Sequence, residues 1–135
     1  MILGVGIDLV TVADFRAQLD DPASTLRQGT FTPRELEDTR HRPSHDQALH
    51  LASRFAAKEA FIKAWSAGAF GRPPVLPRVD LREIEVTTDH FGRPALRLHG
   101  AVAQAVATLG KTRIHLSLTH EVAICAAVAV LEATT

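Results

Sequence analysis

The sequence predicts a single α+β domain in which a mainly antiparallel sheet packs against one long helix. Three observations carry this. The chain has 135 residues, so residues 1–135 form one unit with a sizeable core. Strong helix formers run unbroken from about Asp46 to Ala67, with Gly68 as a stop. The β-rich stretches fall in neighbouring pairs, which favours hairpins over the long crossovers that parallel strands need.

The elements follow in order. Ile2 to Val10 is apolar and β-branched and reads as a core strand. Alternation puts Leu3, Val5, Ile7 and Leu9 on one face, and Ile2, Gly4, Gly6, Asp8 and Val10 on the other. Asp8 thus shares its face with two glycines, where a ligand or another backbone can approach closely. A short helix is expected from Thr11 to Asp21, then a loop over 22–31. Thr32-Pro33-Arg34-Glu35 is a helix start with a Thr cap, proline in the first turn and Glu35 for a capping box. After the long helix, the proline-rich stretch 71–78 must be loop. Strands are expected over 83–88 and 94–98, joined by a turn containing Gly92. A helix fits 100–109, and two further strands fit 114–119 and 123–131.

Composition excludes several functions. Hydrophobic residues at 46% and charged residues at 22% are globular values and exclude a disordered chain. Fifteen basic residues balance fifteen acidic ones, so nothing here suits coating a nucleic acid or an anionic membrane. The start of the chain lacks the features of a secretory signal, and no apolar run is long enough to span a bilayer. A cytoplasmic protein is expected. Cys125 lies in an apolar run and reads as a small core residue. The stretch holding His41, His45, Asp46 and His50 crosses a proline and a helix start, so it reads as solvated rather than as a metal site.

The long helix carries most of the chemistry. At about 100° per residue, Arg54 and Lys58 fall with Gln47 and His50, a side that reads as solvated. Glu59 and Lys63 fall roughly 140° and 180° round from Arg54, in a sector that is otherwise apolar. An i,i+4 carboxylate–ammonium pair there is either a buried structural ion pair or a functional site, and spacing alone leaves both open. Asp8 adds weight to the second. Two carboxylates from different elements can hold Mg²⁺, whose remaining positions go to waters and substrate phosphates, with Lys63 one turn away to meet a phosphate oxygen. The alternative for Asp8 is a turn cap paired with an arginine. Ser117 and Thr119 line one side of the strand 114–119, and His120 and Glu121 stand at its end.

Five segments together resemble the holo-[acyl-carrier-protein] synthase family, the small 4′-phosphopantetheinyl transferases. They are the stretch from Gly4 to Val10, Phe31-Thr32 with Glu35, the run from Arg54 to Ala64, Gly92-Arg93-Pro94, and the stretch from Leu116 to His120. The match runs in order over nearly the whole chain. It implies transfer of 4′-phosphopantetheine from coenzyme A to a serine of apo acyl carrier protein, releasing adenosine 3′,5′-bisphosphate. It further implies that Asp8 and Glu59 are the Mg²⁺ ligands and that Lys63 and His120 meet the pyrophosphate. Arg54, Lys58, Gly92, Pro94, Ser117 and Thr119 would line the rest of the coenzyme pocket. Glu59, through a water beside the metal, is the first candidate for the base that takes the serine proton, and His120 the second. The family also implies a homotrimer with active sites between subunits, in which Asp8 and Glu59 meet Thr119 and His120 of a neighbour. Members often carry a basic residue in the first helix turn for docking the carrier; this chain has Asp14 there, so Arg16 with Phe55 is the expected substitute. Two other classes share these residues: a coenzyme A or nucleotide binding module without turnover, and a metal-dependent phosphohydrolase.

Overall fold

The computed structural model describes residues 1–135. Its elements are β1 (Ile2–Thr11), α1 (Val12–Asp20), α2 (Leu26–Thr30), α3 (Pro33–Arg40), α4 (Ser44–Ala67), β2 (Ile84–Thr88), β3 (Pro94–Leu98), α5 (Gly100–Ala107), β4 (Thr112–His120) and β5 (Ile124–Ala133). β1, β5 and β4 form an antiparallel sheet in that order, with β1 at one edge, and β2 and β3 form a separate antiparallel hairpin. The expected α+β layering is therefore present, divided into two sheets.

α4 lies between them. A Cβ on Gly4 would fall on the carbonyl oxygen of Ala64, and one on Gly6 on that of Ala60, so helix and strand backbones touch directly. The close approach expected at these glycines is made by another backbone. Around the rest of α4, Phe61 packs in one core cluster with Ile84 and Val86 of β2, Val102 and Val106 of α5, and Leu131 of β5. Cys125 is buried in that cluster, as its apolar setting predicts.

Local chemistry accounts for the element boundaries. The capping box at α3 is complete: the Glu35 backbone N–H donates to Thr32 Oγ1 at 3.1 Å, and Thr32 N–H donates to Glu35 Oε1 at 2.9 Å. α2 falls inside the stretch 22–31 that reads as loop. It has only five residues with Gly29 among them, so it offers no periodic signal. Its C-terminal carbonyl, Thr30 O, is instead held by a lysine from α4.

That lysine corrects the reading of the long helix. His50, Arg54 and Lys58, placed by spacing on a solvated side, are all buried. Lys58 is 0% exposed, and its Nζ donates to Thr30 O at 2.6 Å, Glu35 Oε1 at 2.7 Å and Leu81 O at 2.9 Å. Glu35 Oε2 accepts from Val86 N–H at 2.9 Å, and Thr32 Oγ1 donates to Glu85 Oε2 at 2.6 Å. This polar knot ties α2, α3, β2 and the turn at 81–83 to α4. Burial pulls the Lys58 ammonium below its ordinary range, and the Glu35 carboxylate pulls it back up. Sequence spacing identified the shared stripe correctly; the layer covering it comes from segments distant in sequence.

The outer face of the larger sheet also differs from a core strand's. Val5, Ile7 and Leu9 of β1 are 57%, 58% and 66% exposed, beside exposed Ile124 and Val128 of β5. Register aligns Ile7 with Val128 and Ser117, and Leu9 with Ala126 and Thr119, so one apolar patch continues across the sheet.

Candidate active site

Asp8 stands on the helix-facing side of edge strand β1, two residues beyond the Gly6 contact. Its carboxylate accepts from Lys63 Nζ at 2.9 Å, and the same ammonium donates to Ile7 O at 3.0 Å. The Asp8 side chain is 14% exposed and that of Lys63 is 52%, so the pair lies at an open edge. Glu59, one turn earlier on α4, is half-buried. Burial first, then the negative charge of Asp8, raises its carboxyl above the usual range, while Lys63 acts the other way. The expected Glu59–Lys63 pair is thus corrected: Lys63 bonds to Asp8, because β1 presents a carboxylate and a carbonyl together. Their sector is not sealed from water either, since β1 is an edge strand.

The donor set suits a hard divalent cation. Two carboxylates close enough to repel face an opening, and Glu59 makes no hydrogen bond within the chain. Mg²⁺ is commonly held by one or two carboxylates with waters and phosphates completing its shell. No cluster of three or more His, Cys, Asp and Glu side chains is present, so a dedicated all-protein cage has no counterpart here.

A second cluster lies where the N-terminal half of α4 meets the end of β4. Arg42, His50, Arg54, Leu118 and His120 help to line a cleft of about 260 Å³. Arg54 is 8% exposed yet has no hydrogen-bond or ion-pair partner in the chain; burial, then the charge of Arg42, brings its guanidinium down to about 10. His50 is pushed down to about 3 by burial, then by Arg54 and Arg42, and is neutral. The Thr39 hydroxyl already donates to Glu35 O at 2.9 Å, so at 2.7 Å His50 Nδ1–H is the donor to Thr39 Oγ1. Asp46 also lines this cleft but faces His45 at 3.5 Å, so neither arginine is bound to a carboxylate and both can meet an anion.

The remaining site residues fall elsewhere. Ser117 and Thr119 point outward from β4, and Thr119 and His120 border a hollow of about 350 Å³ beside Ile124 and Ala126. Gly92, at φ +78°, forms the β2–β3 turn just before Pro94, with Asp89 accepting from Arg93 Nε at 2.6 Å. Lys58 is fully buried and its Nζ donates to Thr30 O, Glu35 Oε1 and Leu81 O, so the geometry removes it from the coenzyme contacts expected of it. Within one chain, then, Asp8, Glu59 and Lys63 come together, Arg54 and His120 come together, and the two groups occupy different places. Sequence reading missed Arg42 and His50. His50 carried a signal, being one turn from Arg54; Arg42 precedes the helix, where no periodicity reaches it.

Comparison with known proteins bears on the family and the fold. A family model described as the 4′-phosphopantetheinyl transferase superfamily matches residues 4–127. The holo-[acyl-carrier-protein] synthases of Mycobacterium bovis and Mycobacterium tuberculosis are each 52% identical over 132 residues, covering 98% of this chain and 98% of theirs. Among solved structures, a synthase–coenzyme A complex from Chronobacterium ammoniagenes superposes with a TM-score of 0.89 at 41% identity, covering 98% of both chains. The acyl carrier protein synthase of Mycobacterium tuberculosis gives 0.79 at 48% identity, covering 99% of this chain and 100% of that one. With its residue motifs, its layered fold and these full-length matches in accord, the chain belongs to the 4′-phosphopantetheinyl transferase superfamily, as a relative of the holo-[acyl-carrier-protein] synthases.

Proposed function

We propose that this protein transfers 4′-phosphopantetheine from coenzyme A to a serine hydroxyl of an apo acyl carrier protein, with Asp8, Glu59 and Lys63 at the reacting phosphate. The observation that carries it is the joining of these three groups at the edge of β1 in a chain so similar to holo-[acyl-carrier-protein] synthases. In the reaction the serine oxygen bonds to the phosphorus that carries pantetheine. The bridging P–O bond breaks, and its electrons leave with adenosine 3′,5′-bisphosphate. The serine proton passes to a base, for which Glu59 is the first candidate and His120 the second.

Asp8 and Glu59 would hold Mg²⁺, which supplies charge neutralisation on the phosphate oxygens. Lys63 compensates Asp8 in the chain as it stands, and its half-exposed ammonium would also be a donor to a substrate phosphate at this edge. Arg54 and Arg42, lacking a carboxylate partner, are suited to bind a substrate phosphate, and His120 adds a donor at the same cleft.

The test is incubation with coenzyme A, Mg²⁺ and an apo carrier. Transfer adds the mass of one phosphopantetheine to the carrier. Hydrolysis would release the bisphosphate with no carrier present, and a binding module would do neither; either result sinks the proposal.

The exposed apolar face formed by Val5, Ile7, Leu9, Ile124 and Val128 supports assembly of this chain with further copies, and the homotrimer is the assembly that the family resemblance implies. Ser117, Thr119 and His120 adjoin that face, so subunits packed across it would carry them toward a neighbour's Asp8 and Glu59 and unite the two clusters. Ile7→Asp should yield monomers in sedimentation and lose transfer with them; a trimeric Ile7→Asp protein would contradict this.

For carrier docking, Arg16 is exposed on α1, and Phe55 is half-buried with its ring 5.5 Å from that of Phe15. Arg16→Glu should raise the KM for carrier and leave that for coenzyme A alone. An unchanged carrier KM excludes Arg16.

A further inference from the structure

Side-chain bonds join α3 to α4 at two places. Glu35 with Lys58 lies deep in the core, and Thr39 with His50 lies beside the cleft that Arg42 and Arg54 line. The reaction gives the second pair no task, yet both of its members are buried.

Thr39 is joined to each arginine by a short path. Its carbonyl accepts from Arg42 N–H at 2.9 Å, so the turn that carries Arg42 hangs from the last turn of α3. Gln47 Nε2 donates to Arg42 O at 3.1 Å, and Pro43 restricts the same backbone from its other side. The Arg42 side chain is exposed, but its starting point is fixed. Arg54 follows His50 by one helical turn, so these two are neighbours on α4. Between them, the Thr39 hydroxyl gives its one proton to Glu35 O and accepts from His50 Nδ1–H at 2.7 Å. Neither side chain can turn without breaking a buried bond.

Arg42 precedes α4 and Arg54 lies well along it. They face one cleft only because the end of α3 folds back against α4, where Thr39 meets His50. Both arginines act on His50 and hold it neutral, so it bridges the helices without adding a third cation. Apolar packing joins helices as firmly but fixes no single distance, whereas a hydrogen bond has one length and one direction.

Resting on the transferase reading above, we infer that Thr39 and His50 are positioning residues, whose buried hydrogen bond holds Arg42 and Arg54 at the spacing that grips a substrate phosphate. They act through the arginines, and the cost of losing them falls on coenzyme A binding.

The test is calorimetric titration of the full-length protein with coenzyme A, beside transfer kinetics and thermal unfolding. Thr39→Val keeps the volume and removes the hydroxyl. It should weaken coenzyme A about tenfold and raise its KM alike, with the turnover number at saturation within about twofold of wild type. Thr39→Ser restores the hydroxyl and should bring the affinity back to within about threefold. Thr39→Val with His50→Leu strands no buried donor, so it should unfold near the wild-type temperature and still bind weakly; it also carries the test if Thr39→Val alone does not fold. Affinity that returns with stability in that double variant overturns the inference. Arg42→Ala should itself weaken binding about tenfold, and adding Thr39→Val should then cost little more, because no spacing is left to hold. Losses that multiply in full overturn the inference, as does wild-type affinity in Thr39→Val or in Arg42→Ala. A wild type that neither binds coenzyme A nor transfers from it overturns the functional reading, and this inference with it.

Discussion

Glu59→Gln will lower the turnover number at saturating coenzyme A, carrier and Mg²⁺ by about 10²–10⁴-fold, the usual span for losing a general base or a charge at the reacting centre. The substitution keeps the volume and removes the charge, and no structural bond depends on that carboxylate, so the fold should be unaffected. Its two candidate roles separate in the cation dependence. If Glu59 serves mainly as a ligand, the activation curve for Mg²⁺ moves to higher concentration and excess cation restores much of the rate. If it takes the serine proton, the loss persists at any concentration. Full turnover at saturating Mg²⁺ would remove Glu59 from both. The matched control is Lys63→Ala, which frees Asp8 from its ammonium and should raise the KM for coenzyme A as well.

Lys58→Met should cost about 3–5 kcal/mol of stability, the range for removing one partner of a buried ion pair. The loss comes from what stays behind: Glu35, 0% exposed, keeps a carboxylate in the core, and Thr30 O and Leu81 O lose their donor. Lys58→Met with Glu35→Gln removes the stranded charge and should lose less than the sum of the two single changes, which denaturant titration of the cycle would show. The folded fraction of Lys58→Met should keep the wild-type KM for coenzyme A. A coenzyme-specific defect without loss of stability would return Lys58 to the binding pocket.

What could be read in advance, and what could not, follows from the range of each interaction. The capping box at Thr32 and Glu35 is a contact over three residues and was legible in full. The close approach at Gly4 and Gly6 was legible too, though whether a backbone or a ligand makes it was left open until α4 supplied Ala60 and Ala64. The pairing of Asp8 with Glu59 was legible as chemistry, two carboxylates needing a cation or a partner. Periodicity, however, says which residues share a side of a helix and is silent on what covers that side. His50, Arg54 and Lys58 were therefore grouped correctly and given the wrong surroundings, since Thr30, Glu35, Leu81 and Thr39 come from other segments. The same limit explains Lys63: spacing offered it Glu59, while the fold brings it Asp8 from 55 residues away. Arg42 depends wholly on the tertiary structure.

The backbone contact at Gly4 and Gly6 bears on the tolerances of the site. Asp8 and Glu59 ride on two elements that meet main chain to main chain, with no side chain between them to repack or change rotamer. Their separation is thus set by the thickness of a peptide backbone, a dimension far stiffer than any packed core. A single methyl group at position 6 would act as a spacer, levering the helix away from the strand and the two carboxylates apart. Gly6→Ala should accordingly lose divalent-cation affinity at temperatures where circular dichroism still reports a folded protein. The gap between those two thresholds would measure how narrowly the spacing is gauged.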